Sequence, residues 1–184
     1  PAERIPKKFN CDVVFARHYE NDGRIEMLES ICKSGYTLNL FGGGWNRALK
    51  QLDKDSPLLK LFPIAPVTGD NYRYAICGAK VAMCFLSTLN NDTYTRRNFQ
   101  IPAMRTAMLS EHTEDLTNLY KADEEAMFFK NKEEMLSKLE ILVNNNNLRE
   151  AISKAGYKRV YKDGHDVVSR MKMLLDIITI KKRK

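Results

Sequence analysis

A chain of 184 residues with 43% hydrophobic and 29% charged side chains can bury a full core as one domain, and its composition is that of an ordinary globular protein. The net charge of +7 gathers at the ends, with four charges in Lys181 to Lys184 and two net in Glu3 to Lys8. That leaves a nearly neutral body, which argues against a nucleic-acid surface and divides the chain into a basic lead (1–10), one domain (11–180) and a basic tail (181–184).

The longest apolar run, Ala75 to Leu86, is broken by Lys80 and is too short to span a bilayer. Cys11, Cys32, Cys77 and Cys84 form no C-x-x-C pair and have no neighbouring histidines, so a zinc site is not expected. Each lies in or beside an apolar segment, as free thiols of a reducing compartment do, and a cytoplasmic location is expected. No segment reads as a signal peptide, and Pro1 as first residue reads as a processed or excised end.

Short apolar runs alternate with longer amphipathic ones, which predicts βα units around a mostly parallel sheet. Asp12 to Ala16 reads as a first strand and Gly23 to Lys33 as a helix with Ile25, Leu28, Ile31 and Cys32 on one face. Tyr36 to Phe41 is the second strand, followed by Gly42-Gly43-Gly44 and a short helix from Trp45 to Leu52. Leu61 to Ile64, between prolines, reads as a weak third strand, and Asn71 to Gly78 as a helix stopped by glycine. Val81 to Leu86 is the next strand, followed by a helix over Arg97 to Met104 in spite of Pro102, which a helix tolerates in its first turn. Ala107 to Ser110 and Ala126 to Phe129 flank a helix at Asp115 to Tyr120. Helices at Lys132 to Val143, Leu148 to Tyr161 and His165 to Ile180 close the chain, the last presenting Val168, Met171, Leu174, Leu175 and Ile178.

In an open α/β sheet, ligands bind where strands end and helices begin. The segment Asn91 to Ala103 joins such a strand to its helix and concentrates Asp92, Thr93, Thr95, Arg96, Arg97 and Gln100, groups suited to a phosphate and a sugar. One of the two guanidiniums can grip a diphosphate bidentately if the helix begins near Thr95. After the first strand, Arg17, His18 and Arg24 lie in a polar loop that enters a helix, where free N–H groups attract anions. Asp22 as N-cap of that helix is compatible with such a role. The run Gly42-Gly43-Gly44 lacks the lysine of a P-loop and the spacing of G-x-G-x-x-G, and serves equally as a tight turn before Trp45 or as a loop beneath a nucleotide.

Four stretches together, Tyr36 to Trp45, Ala79 to Met83, Asp92 to Ala103 and Leu148 to Val160, resemble the C-terminal domain of spore-maturation-protein-like glycosyltransferases of the GT-B class. The resemblance covers about Cys11 to Leu175, and its most specific piece is T-x-R-x-F-E-I-P-A, matched by Thr95 to Ala103 with Gln100 in place of glutamate. It implies a Rossmann-like mostly parallel sheet flanked by helices, one half of a GT-B fold, that binds a nucleotide-sugar donor such as a UDP-sugar. A separate N-terminal domain is implied to hold the acceptor, whose identity the sequence leaves open. Related retaining enzymes carry two glutamates eight positions apart, toward donor sugar and ribose, and the matching residues here are Asp92 and Gln100.

The expected roles are therefore Arg17, Arg24, Arg96 and Arg97 toward diphosphate, Gln100 toward ribose, and Asp92 and Thr93 toward sugar. Trp45, Val67 and Tyr72 are expected near the base, and His18, Gly43 and Thr95 among the other substrate contacts. Asp92, Arg96 and Arg97 are the catalytic candidates. No metal or other cofactor is required, because arginines and helix dipoles can stabilise a leaving diphosphate. A rival reading, a non-catalytic interaction module derived from such a domain and recruiting a partner through its basic tail, takes its support from Gln100.

Overall fold

The computed structural model describes residues 1–182. Five parallel strands, β1 (Cys11–Ala16), β2 (Leu38–Phe41), β3 (Ala79–Cys84), β4 (Ala107–Glu111) and β5 (Met127–Phe129), form one sheet in the order β2-β1-β3-β4-β5. Val13 of β1 stands opposite Leu38 on one side and Val81 on the other. Alternate residues of each strand feed two separate cores. Val13, Phe15, Val81 and Met83 pack under α1 (Arg24–Lys33) and α5 (Lys132–Asn144) through Leu28, Ile31, Met135 and Leu139. On the other face, Val14, Ala82 and Met108 meet α2 (Gly69–Cys77), α3 (Arg97–Ala103), α4 (Glu114–Leu119) and α6 (Asn146–Lys162) through Ile76, Ile101, Leu116 and Val160. Covered on both faces, the strands need apolar residues at successive positions, which is why they read as continuous runs.

The sheet has one fewer strand than expected. Pro57–Leu61 is a 3-10 turn capped by Ser56, whose hydroxyl accepts from the Leu58 N–H at 3.3 Å, and the chain through Ile64 does not join the sheet. Pro63 and Pro66 have no N–H to give a ladder, which demotes this stretch to a loop. The second strand is also shorter than read, beginning at Leu38.

Pro102 lies in the last turn of α3 rather than the first. A proline there removes the bond its nitrogen would give to the carbonyl four residues back, that of Asn98. The buried Tyr120 hydroxyl donates to that carbonyl at 2.8 Å. The helix therefore tolerates the proline because a side chain from α4's end replaces the missing donor.

α7 (Val167–Lys182) closes the described chain with its apolar face, Val168, Met171, Leu174, Leu175 and Ile178, exposed rather than packed on the sheet. Of the basic tail, Lys181 and Lys182 end α7, and Arg183 and Lys184 lie outside the described residues.

Tyr120→Phe should destabilise the domain by about 1 to 3 kcal/mol in urea unfolding, because it leaves a buried carbonyl without a donor. The cost should shrink in a Pro102→Ala background, where a backbone N–H is available to Asn98.

Candidate functional site

Strand order reverses between β1 and β3: β2 lies to one side of β1, while β3, β4 and β5 run to the other. The loops leaving the carboxyl ends of adjacent strands diverge at such a point and open a crevice. Here the crevice is a cavity of about 410 Å³, a size that suits a nucleotide-sized ligand. Its walls come from the ends of β1 and β2, from the start of α2 and from the start of α3.

The β1 and β2 loops are joined by backbone. Arg17 N–H donates to the Phe41 carbonyl and Tyr19 N–H to the Gly43 carbonyl, both at 2.9 Å. A Cβ on Gly42 would lie 1.9 Å from the Arg17 carbonyl oxygen, so this position needs glycine for the close approach. Trp45 Nε1 donates to the same Arg17 carbonyl at 3.0 Å, and its ring is buried against Phe15 and Tyr19. Trp45 is thus a core pin for the loop and does not face the cavity, contrary to its expected place near a base. Gly43, unlike Gly42, lines the cavity with no contact that forbids a side chain.

Arg96, Arg97 and Gln100 project from α3 into the same space. Arg97 Nε donates to the Ala16 carbonyl at 2.7 Å, which anchors the guanidinium across the end of β1. Burial pulls its pKa below the ordinary guanidinium value. Opposite, Tyr72 of α2 donates its hydroxyl to Gln100 Oε1 at 3.2 Å, leaving the amide N–H groups of Gln100 as its free donors. Thr68 precedes α2 without a side-chain cap, so the first N–H groups of that helix stand open beside Thr68 and Gly69 in the cavity wall. The cavity's charged lining comprises Arg17, Arg96 and Arg97, with His18 beside them and no carboxylate.

The structure therefore brings Arg17, His18, Gly43, Val67, Tyr72, Arg96, Arg97 and Gln100 around one cavity. Arg24 does not join them. Its guanidinium is turned inward and 1% exposed, bound to Asp22 and to the His18 carbonyl at 2.8 Å. An expected diphosphate ligand is instead half of a buried ion pair, because Asp22 two residues earlier is held by this arginine and leaves capping of α1 to Gly23. Thr95, two residues before α3, is tied to its first turn: its hydroxyl accepts from the Arg97 N–H at 3.3 Å while Asn98 Oδ1 accepts from the Thr95 N–H at 2.7 Å. Thr93 is exposed outside the cavity, its carbonyl accepting from the Thr113 hydroxyl at 2.6 Å. Asp92 is set behind Arg17, 3.2 Å from Nη2.

Glu20 and the start of α2 escaped the sequence reading. Glu20 is buried between Arg17, Arg24 and the His18 imidazole, whose Nε2 lies 2.8 Å from Oε1. The signal for α2 was present in Thr68 and Asp70, a capping residue type and an acid in the first turn. Among the described residues there is no cluster of three His, Cys, Asp or Glu side chains able to hold a metal, and no helix is long and apolar enough to cross a membrane.

A nucleotide-sized crevice at the switch point of a parallel sheet, lined by guanidiniums, is the arrangement of one Rossmann-like half of a GT-B fold. The chain belongs to the glycosyl transferase-like family, whose model matches residues 23–176. No curated protein sequence matches it. Among solved structures it is similar to the C-terminal domain of a glycosyl transferase group 1 family protein (LpcC) from Francisella tularensis. The TM-score is 0.61 at 16% identity, over 88% of this chain and 93% of that one. It is also similar to sucrose-phosphate synthase from Thermosynechococcus elongatus, with a TM-score of 0.70 at 11% identity over 98% of this chain and 47% of that one. Anabaena HepE, in complex with UDP-glucose, gives 0.67 at 9% identity over 92% and 49%. These likenesses are of fold, and the chain spans under half the length of the latter two.

A smaller cavity of about 220 Å³ borders the same β1–α1 loop, lined in part by Asp22, Arg24, Glu111 and Lys132. Burial pushes the Glu111 carboxyl above its usual range, although the Leu86 N–H donates to it. A carboxyl whose pKa is higher folded than unfolded adds stability below the unfolded value, and that contribution is lost as pH rises through the folded one. Glu111→Gln should therefore gain stability relative to wild type on going from about pH 4 to pH 7, as read by parallel urea titrations; a pH-independent difference would contradict the assignment.

Proposed function

We propose that this domain binds a nucleoside-diphosphate sugar, UDP-linked by analogy with the sugar nucleotide bound to HepE, and presents it for transfer to an acceptor held by a second domain. The observation that carries the reading is the carboxylate-free cavity in which Arg96, Arg97 and the open start of α2 face one another. Positive groups preorganised around a diphosphate favour its departure, since charge builds on it as the sugar–oxygen bond breaks. No metal is assigned a role, because the two guanidiniums and the helix terminus supply the positive potential.

In this reading, Arg96 and Arg97 bind the diphosphate with His18 and Gly43 beside it. Gln100 donates to a ribose hydroxyl, Val67 and Tyr72 flank the base, and Asp92 meets the sugar. A neutral amide at position 100 can hold a hydroxyl but cannot act as an anion, so the ribose contact here is a hydrogen bond only. The exposed apolar face of α7 supports the presence of a covering partner, which in a two-domain enzyme is the acceptor-binding half.

Calorimetric titration with UDP and GDP tests the reading. Arg97→Ala should weaken UDP binding by roughly 1.5 to 3 kcal/mol, the worth of a hydrogen bond to a charged group. A folded protein that binds neither nucleotide favours the non-catalytic interaction module instead.

A further inference from the structure

Arg17 lines the cavity, yet its guanidinium is already engaged elsewhere. Nη1 donates to the Phe85 carbonyl at 2.8 Å, Nη2 lies 3.2 Å from both Asp92 Oδ2 and Glu20 Oε1, and Nε is buried without a partner. The side chain is 5% exposed. A diphosphate could take this cation only by displacing Asp92 and Glu20 from it, which would leave the half-buried Asp92 without its cation.

The surrounding charge points the same way. Arg17 and Arg24 share their enclosure with Glu20, Asp22 and Asp92, two cations against three carboxylates. Burial alone would raise the Glu20 carboxyl, but the charges of Arg24 and Arg17 beside it help hold the group below its usual range. A cluster with this balance does not attract another anion.

What Arg17 fixes is Asp92. The carboxylate's Oδ2 is held by Arg17 and by the Ser87 N–H at 3.4 Å, and the Asp92 N–H donates back to the Ser87 carbonyl at 3.0 Å. Oδ1 takes no hydrogen bond from any of the described residues, and the side chain is 23% exposed. Through the Phe85 carbonyl, the same guanidinium fastens this arrangement to the chain just past β3. We infer that Arg17 is a positioning residue for Asp92 and not a diphosphate ligand: it holds one carboxylate oxygen in the protein so that the other meets a hydroxyl of the donor sugar. The inference rests on the donor-binding reading above.

The test compares UDP with UDP-glucose, UDP-galactose and UDP-N-acetylglucosamine by calorimetry, and follows whichever sugar nucleotide binds the wild type most tightly. Asp92→Asn should abolish the preference for that sugar nucleotide over UDP. Arg17→Gln should do the same while UDP itself binds within about 3-fold of wild type, less than loss of a charged contact would cost. If Arg17→Gln does not fold, Arg17→Lys carries the same test, because a point charge cannot reproduce the fork that reaches Phe85 and Asp92 together. A fall of about 10-fold or more in UDP affinity in a folded Arg17 variant would make Arg17 a diphosphate ligand and overturn the inference. So would a sugar preference that survives Arg17 substitution, or a wild type that binds UDP as tightly as every sugar nucleotide. A wild type that binds no nucleotide removes the donor-binding reading itself, and the inference with it.

Discussion

A guanidinium can leave water only where other acceptors replace it, and this fold buries two of them side by side in the loop that leaves β1. Arg17 and Arg24 flank the loop that leaves β1, and between them they hold Glu20, Asp22, Asp92 and the carbonyls of His18 and Phe85. Loops at the mouth of a sheet are ordinarily its most mobile parts. Here the β1–α1 loop is fixed from within, by charges that cannot separate without leaving a partner unpaired in a low-dielectric setting.

The cavity depends on that fixation. Because the Arg17 backbone is held by Phe41 and Trp45, the β2 loop must pass close over it, and the glycine at 42 permits the passage. Arg97 then crosses from α3 to the Ala16 carbonyl, so the helix that supplies the cavity's cations is tied to the same strand end. One side of the site comes from local chain geometry and the other from a contact 81 residues away, and both meet at β1.

The strands and most helices were legible because burial on both faces writes continuous apolar runs and helices write a 3.6-residue period. Leu61 to Ile64 satisfied the first rule and failed on a fact outside it, the missing N–H groups of the neighbouring prolines. Pro102 was misplaced for the opposite reason: its tolerance depends on Tyr120, a partner that no local pattern shows. The cavity's position followed from topology, and eight of the residues proposed for it do converge there. Arg24 and Trp45 did not, because residue type cannot tell an arginine that faces a ligand from one that faces Asp22, nor an indole over a base from one pinning a carbonyl. Glu20 went unread for the same reason, since its three partners meet only after the loop is folded.

Those misplacements share a cause that bears on how the site works. The fold sorts charges that the sequence interleaves: Arg17, Glu20, Asp22 and Arg24 fall within eight residues and pair with one another, and Asp92, four residues before Arg96, pairs with Arg17 instead. In the fold, Glu20 and Asp22 turn inward and Asp92 is held from behind by Arg17, while Arg96 and Arg97 are left to a cavity with no carboxylate in its lining. An uncompensated pair of guanidiniums raises the potential of a crevice far more than the same pair mixed with acids. At position 100, a glutamate would add an anion to that wall beside Tyr72, whereas the amide present keeps the hydrogen bond with Tyr72 and adds no charge. Glutamine at this position thus keeps the wall free of carboxylates and leaves that side chain a hydrogen-bonding group without charge.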